Sequence, residues 1–273
     1  MSYTPAIPLG GYAGWAYLKR TLPAQTKSFN AAPEVKSDEA YFRANIGKVK
    51  TAAQLVQDRR LLKVALGAFG LDKDIENKFF IQKVLQDGTL TTGSLANRLA
   101  DKQYLKLSQA FGFGDYAVPS TQISTFADDI VSAYQARQFE AAVGQQNDDL
   151  RLALNAQREL PKLAAKTTSS NNTKWFTILG NAPLRNVFEK ALGLPSSIGA
   201  LDLDQQLAAF TTKAKSQLGT DQVADFTDPA KLEGLMRRFL VRSEAQSYAQ
   251  SGGGNAAMVL MQQISNNVRS RYT

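Results

Sequence analysis

The chain contains neither cysteine nor histidine. Without cysteine no disulfide forms, so the redox compartment leaves no mark on the sequence. Zinc, haem and iron–sulfur centres lose their usual ligands. Ser-His-Asp and Cys-His nucleophilic arrangements are excluded, and any proton transfer near neutral pH falls to a carboxylate, lysine or tyrosine with a displaced pKa. No uncharged apolar run of about 18 residues occurs, so no membrane-spanning helix is expected. The N-terminus, MSYTPAIPLGGYAGWAYLKR, lacks a basic start followed by a continuous apolar stretch, and a cleaved secretory signal is not expected. Strand-like alternation is scarce. Its best candidate, WFTIL (175–179), reads equally well as the start of a helix.

Short motifs of chemistry are missing as well. No Walker-type GK[ST] occurs, and no serine lies three residues before a lysine. DKDIE (72–76) opens like a calcium loop, but Asn77 stands where glycine is required and Lys83 where the bidentate acid is required. The pairs Asp128-Asp129 and Asp148-Asp149 are helix neighbours that point to different sides, which does not suit paired carboxylate catalysis. No catalytic, metal-binding or cofactor-binding set is predicted, and no small-molecule substrate.

What remains is the material of a helical protein. The 273 residues are 44% hydrophobic, enough for a core that needs no covalent staple. The net charge of +8 is spread along the chain, heaviest in residues 1–60, and its densest clusters are no more than short pairs such as Arg59-Arg60 and Arg237-Arg238. Such pairs read as solvated faces before they read as a phosphate-binding stripe, which argues against nucleic acid as a partner.

The fold class expected is all-α, with many short helices, one long helix and two related helical subdomains as an option. Residues 1–35 contain Pro5, Pro8, Pro23 and Pro33 and read as a flexible arm. Within it, Trp15, Leu18 and Leu22 share a helical spacing that forms a turn only when packed against something. A helical subdomain over 36–165 follows. Thr51 with Gln54 makes a capping box, Asp58 caps a second short helix running to Phe69, and Ser94 and Asp101 are further candidate caps. A pattern from 124 to 160 would make one helix about 50 Å long, unless Gly144 breaks it, and Pro161 marks its end. The polar stretch TTSSNNT (167–173) separates a second subdomain over 174–250, in which Asp228-Pro229 is a strong helix start. SGGG (251–254) interrupts the chain before a C-terminal helix over 255–273, where Ala257, Met261, Ile264 and Val268 form a seam of 4-3-4 spacing.

One phrase occurs three times, as ALGAFGL, LSQAFGF and FEKALGL, aligning Gly70, Gly112 and Gly193. An apolar residue precedes each glycine, another follows it, and a third lies five residues before. That spacing is a helix ending: glycine turns left-handed, and the next apolar residue folds back onto the last turn. A phosphate loop would place its glycines before a helix instead.

Three segments and one further block carry a family resemblance. YFRANIGKVKTAAQLVQDRRLLKVALGAFGLDKDI, FFIQKVLQDG and SLANRLADKQYLKLSQAFGFGD span much of 41–115, and LMRRFLVRSEAQSYAQ lies near the C-terminus. They resemble a functionally uncharacterised helical family of alphaproteobacteria whose genes often lie among flagellar genes. The resemblance implies a flagellum-associated structural or assembly protein, acting through protein partners and lacking catalytic residues to carry over. It would be cytoplasmic, or exported to the flagellum without a cleaved signal. Trp15, Leu18 and Leu22 would then meet Ala257, Met261, Ile264 and Val268 on assembly; the alternative is that these terminal segments cover the protein's own core. A cytosolic regulatory or nucleic-acid-binding helical protein is the competing function.

Overall fold

The computed structural model describes residues 3–250, so Ala257, Met261, Ile264 and Val268 lie outside the described residues. Among the described residues there is no strand, and the fold is all-α. Helices α1 (Gly11–Asn30) and α2 (Pro33–Asn45) lead into a run of short ones: α3 (Ala52–Gln57), α4 (Arg59–Phe69), α5 (Lys78–Asp87), α6 (Leu95–Arg98) and α7 (Gln103–Phe111). The longer α8 (Phe126–Gly144) and α9 (Asp148–Ala164) form a hairpin. After them come α10 (Asn171–Leu179), α11 (Ala182–Leu192), α12 (Leu203–Leu218) and α13 (Pro229–Gln250).

Side-chain caps set most of these starts. Thr51 and Gln54 bond reciprocally around the first turn of α3, and Asp58 accepts from the Arg60 and Leu61 amides at the head of α4. Asn147, Ser170, Asn181 and Asp202 do the same for α9, α10, α11 and α12, and Asp228 accepts from the Ala230 amide at 2.8 Å. Ser94 does not cap α6. Its hydroxyl instead donates to the Asp87 carbonyl and ties α6 to the end of α5. Asp101 accepts from the Gln103 amide ahead of α7.

The structure differs from the sequence reading at three places. The helix expected over 124–160 is two: Asn147 turns extended and restarts the chain as α9, whose first turn carries Asp148 and Asp149 where the helix dipole favours them. Pro161 does not end α9, which continues to Ala164. The arm expected over 1–35 contains a twenty-residue helix, α1, whose Trp15 and Leu18 are buried. Propensity alone would not hold α1, with its internal Pro23; packing against α9 and α13 does.

Buried side chains form two cores. One gathers residues from Phe42 to Tyr134. The other joins Trp15 and Leu18 of α1 to residues from Phe139 to Leu240. The boundary between these two clusters of buried side chains falls within α8, between Tyr134 and Phe139. An edge-on contact of Phe29 with Phe139, at 5.6 Å between ring centroids, fastens α1 beside that boundary.

A local arrangement recurs in the two cores. Helices α4 and α11 each have 11 residues between a side-chain N-cap and a left-handed glycine, Gly70 at φ +72° and Gly193 at φ +67°. Leu71 and Leu194 donate their amides to carbonyls five residues back, at 3.0 and 2.9 Å. Each helix packs along a longer one, α8 or α13. That longer helix lays an arginine against the glycine: Arg137 at Gly70 and Arg242 at Gly193. A guanidinium there faces the negative end of the helix dipole. Gly112 ends α7 at φ +66° with a single bond to the Ser108 carbonyl. A fourth left-handed stop, Gly219 at φ +77°, ends α12. The repeated phrase misses it because Thr220, not an apolar residue, follows.

These stops predict a graded cost. Nothing lies near a Cβ added at Gly219, so Gly219→Ala should lose about 1 kcal/mol from the left-handed backbone alone. At Gly70 the same methyl would stand 2.7 Å from the Arg137 guanidinium, which would have to shift from its place near Glu159. Gly70→Ala should therefore lose about 2–3 kcal/mol, since the strain and the displaced charge add. Urea denaturation of both variants checks the ranking, and equal losses would refute it.

Candidate interaction groove

Helix α13 has three different sides. Leu235, Met236, Phe239 and Leu240 are fully buried against α11 and α9. Glu233 and Arg237 turn toward α1, where Tyr12 and Lys19 donate to the Glu233 carboxylate at 2.9 and 2.6 Å, Trp15 reaches it at 3.4 Å, and Arg237 lies over the Tyr12 ring. Burial works against the Glu233 charge, but these donors outweigh it and hold its pKa below the usual carboxylate value. The third side, with Lys231, Gly234, Arg238, Val241 and Arg242, lines a groove closed by the end of α12 and by Phe226.

The groove has a volume of about 720 Å³. Lys231, Arg237, Arg238 and Arg242 line it, and no carboxylate does. Arg238 is fixed in place, since its Nε donates to the Ala191 carbonyl at the end of α11 and its Nη2 to Gln217. Lys231 pairs with Asp225 at 2.7 Å on the surface, a contact of small energetic worth. Among the described residues Arg242 has no carboxylate partner. Leu218 and Phe226 supply an apolar floor, and Val241 is half exposed at the rim. The pair Arg237-Arg238, a solvated face on sequence grounds, thus has two different settings: Arg237 stacks over Tyr12 at the groove's edge and Arg238 is bonded into its wall. Doublet spacing alone cannot reveal this, because 100° of helix rotation separates neighbours.

Elsewhere polar groups are drawn together but satisfied internally. Arg158 grips Glu140 through two bonds of 2.6 and 3.0 Å and also meets Glu159, which Lys106 and Arg137 approach at 3.0 and 3.8 Å. This cluster joins α7, α8 and α9. Burial raises the cost of the Glu159 charge, yet Lys106 and the two arginines outweigh it and keep its pKa low. Burial and the neighbouring Arg158 push the Arg137 pKa down.

Asp149, Lys190 and Ser243 meet across α9, α11 and α13: Lys190 donates to Asp149 at 2.8 Å and to Ser243 at 3.1 Å, and Ser243 donates to Asp149. A serine beside a lysine has the makings of a nucleophile. Here, however, the hydroxyl is buried, spends its proton on Asp149, and sits mid-helix, where backbone N–H groups are already bonded and cannot form an oxyanion hole. The triad reads as a lock between helices. No group of three acidic residues suited to a metal ion occurs among the described residues, and no helix there is long and apolar enough to cross a membrane.

Of the residues singled out in the sequence, Gly70, Gly112 and Gly193 sit at three separate helix ends, Gly193 against Arg242 of the groove. Trp15 and Leu18 are spent within the core and Leu22 packs half-buried against it, so α1 offers no apolar seam to a partner in this conformation.

The model of a family described as a protein of unknown function (DUF1217) matches residues 68–232. The crystal structure of a structural-genomics target from Agrobacterium tumefaciens is similar in fold, with a TM-score of 0.71 at 24% sequence identity, over 89% of this chain and 99% of that one. None of the curated proteins matches.

Proposed function

The chain belongs to the DUF1217 family of unknown function, and from that premise we propose that it is a non-enzymatic, flagellum-associated structural or assembly protein that works through helix–helix contacts. The observation that carries the contact mode is the groove on α13, a cleft between helices with cations on its walls and apolar residues on its floor. The flagellar setting is supported by the resemblance of 41–115 and of the block around Arg237-Arg238 to alphaproteobacterial proteins encoded among flagellar genes. Internal satisfaction of the Ser243 and Glu159 networks favours a scaffold over a catalyst. Nucleic acid suits the groove less well. Binding of bases calls for exposed aromatic platforms, and the aromatic at this groove, Phe226, is buried.

Quantitative mass spectrometry of purified hook–basal bodies and culture supernatant, each against cytosol from the same cells, tests this reading. Enrichment in either fraction, with impaired motility after gene deletion, is the expected result. A protein confined to the cytosol of cells whose flagella and motility survive deletion would overturn it.

A further inference from the structure

We propose that the groove along α13 seats an acidic amphipathic helix of a partner protein; this deepens the helix–helix reading above and rests on it. Charge complementarity identifies the occupant. No carboxylate lines the groove. Lys231 is paired with Asp225 and Arg237 is stacked over Tyr12, but Arg238 and Arg242 have no carboxylate partner among the described residues, so negative charge on an occupant is favoured there. Carboxylates take such donors two at a time, which gives orientation as well as attraction.

The spacing selects a helix. Lys231, Arg238 and Arg242 follow one edge of α13 at intervals of seven and four residues, the period at which a second helix lying alongside presents one of its own faces. Partly buried Leu218 and half-exposed Val241 offer apolar surface along that edge, which suits an apolar stripe between the partner's acids. Gly234 lies along the same edge, and a Cβ added there meets nothing within 4 Å. The backbone of α13 is therefore open to close approach at that point.

Gly234 also supplies the decisive variant. It has ordinary helical geometry, so a larger side chain would fill the groove without straining the fold. The probe is a synthetic helical peptide of about 20 residues, with leucine at helical 3–4 spacing, glutamate on the remaining positions and a fluorescent label. Its counterpart carries lysine in place of glutamate. In fluorescence anisotropy the full chain should bind the glutamate peptide and not the lysine one, with affinity falling as salt rises. Arg242→Gln should weaken binding about tenfold, and Gly234→Trp should abolish it while the thermal midpoint by circular dichroism stays at or above that of the parent.

Equal binding of both peptides, no binding of either, or undiminished binding by Gly234→Trp would overturn the proposal. Self-association that Gly234→Trp removes would assign the groove to a second copy and overturn it too. Binding gained only on removal of residues 251–273 would assign the groove to the chain's own end, and the partner helix would again be excluded. The assay contains no flagellar component, so a chain that binds the peptide yet stays in the cytosol would keep this surface and lose only the flagellar setting.

Discussion

Trp15→Ala is expected to destabilise the protein by about 4 kcal/mol, the range for emptying a large aromatic site in a core. Trp15 is 1% exposed and stands in the same cluster as Leu150, Trp175 and Phe239. Its ring contributes buried area, and its indole N–H also faces Glu233, which Tyr12 and Lys19 share. For a chain of this length the loss should lower the thermal midpoint by roughly 8–16 °C. Differential scanning calorimetry measures it directly. A mobile arm would make the same substitution nearly silent, within about 0.5 kcal/mol, so a silent result would mean that α1 does not hold the position described.

Glu159→Gln is expected to cost about 3 kcal/mol near neutral pH, because removing one member of a buried ionic group leaves the others uncompensated. Arg158 keeps its paired bonds to Glu140, and Lys106 is well exposed to water. Arg137, with a side chain 12% exposed, loses its nearest carboxylate and bears most of the cost. The same residue sets a pH dependence. In the unfolded chain Glu159 takes up its proton near 4.5, and in the folded one its pKa lies lower. Its contribution is thus complete above about pH 5 and drains away as pH falls through 4.5 toward the folded value. Chemical denaturation repeated from neutral pH down to the acid range should show the parent losing stability in that window and the variant losing less of it. Parallel curves for the two proteins would remove Glu159 from the account.

How much of this was legible in the sequence depended on the range of the interaction. Thr51 with Gln54, Asp58 and Asp228 act on amides two or three residues away, and Gly70 and Gly193 act within a single turn, so linear spacing records them. The restart at Asn147 was also written locally, as an N-cap followed by two acids, but a strong apolar period on either side masked it. Helix α1 was hidden for the opposite reason. Its proline and glycine content argues for a loop, and burial of Trp15 and Leu18 against distant helices overrides that preference. The groove and the ionic cluster had no linear signature. Lys106 meets Glu159, and Arg238 meets Gln217 and the end of α11, only after the helices pack. Histidine or cysteine would have flagged a chemical site before folding; Arg, Lys and Glu on helix surfaces do not, because most such residues are simply solvated.

Helix α8 gives Tyr134 to one core and Phe139 to the other within five residues, and the N-terminal helix crosses over to the far core. Among the described residues the two cores therefore share a helix rather than meeting at a linker. A cut in the chain on either side of α8 would strip a wall from one half or the other. This is the difference between two beads on a string and a joist let into two walls.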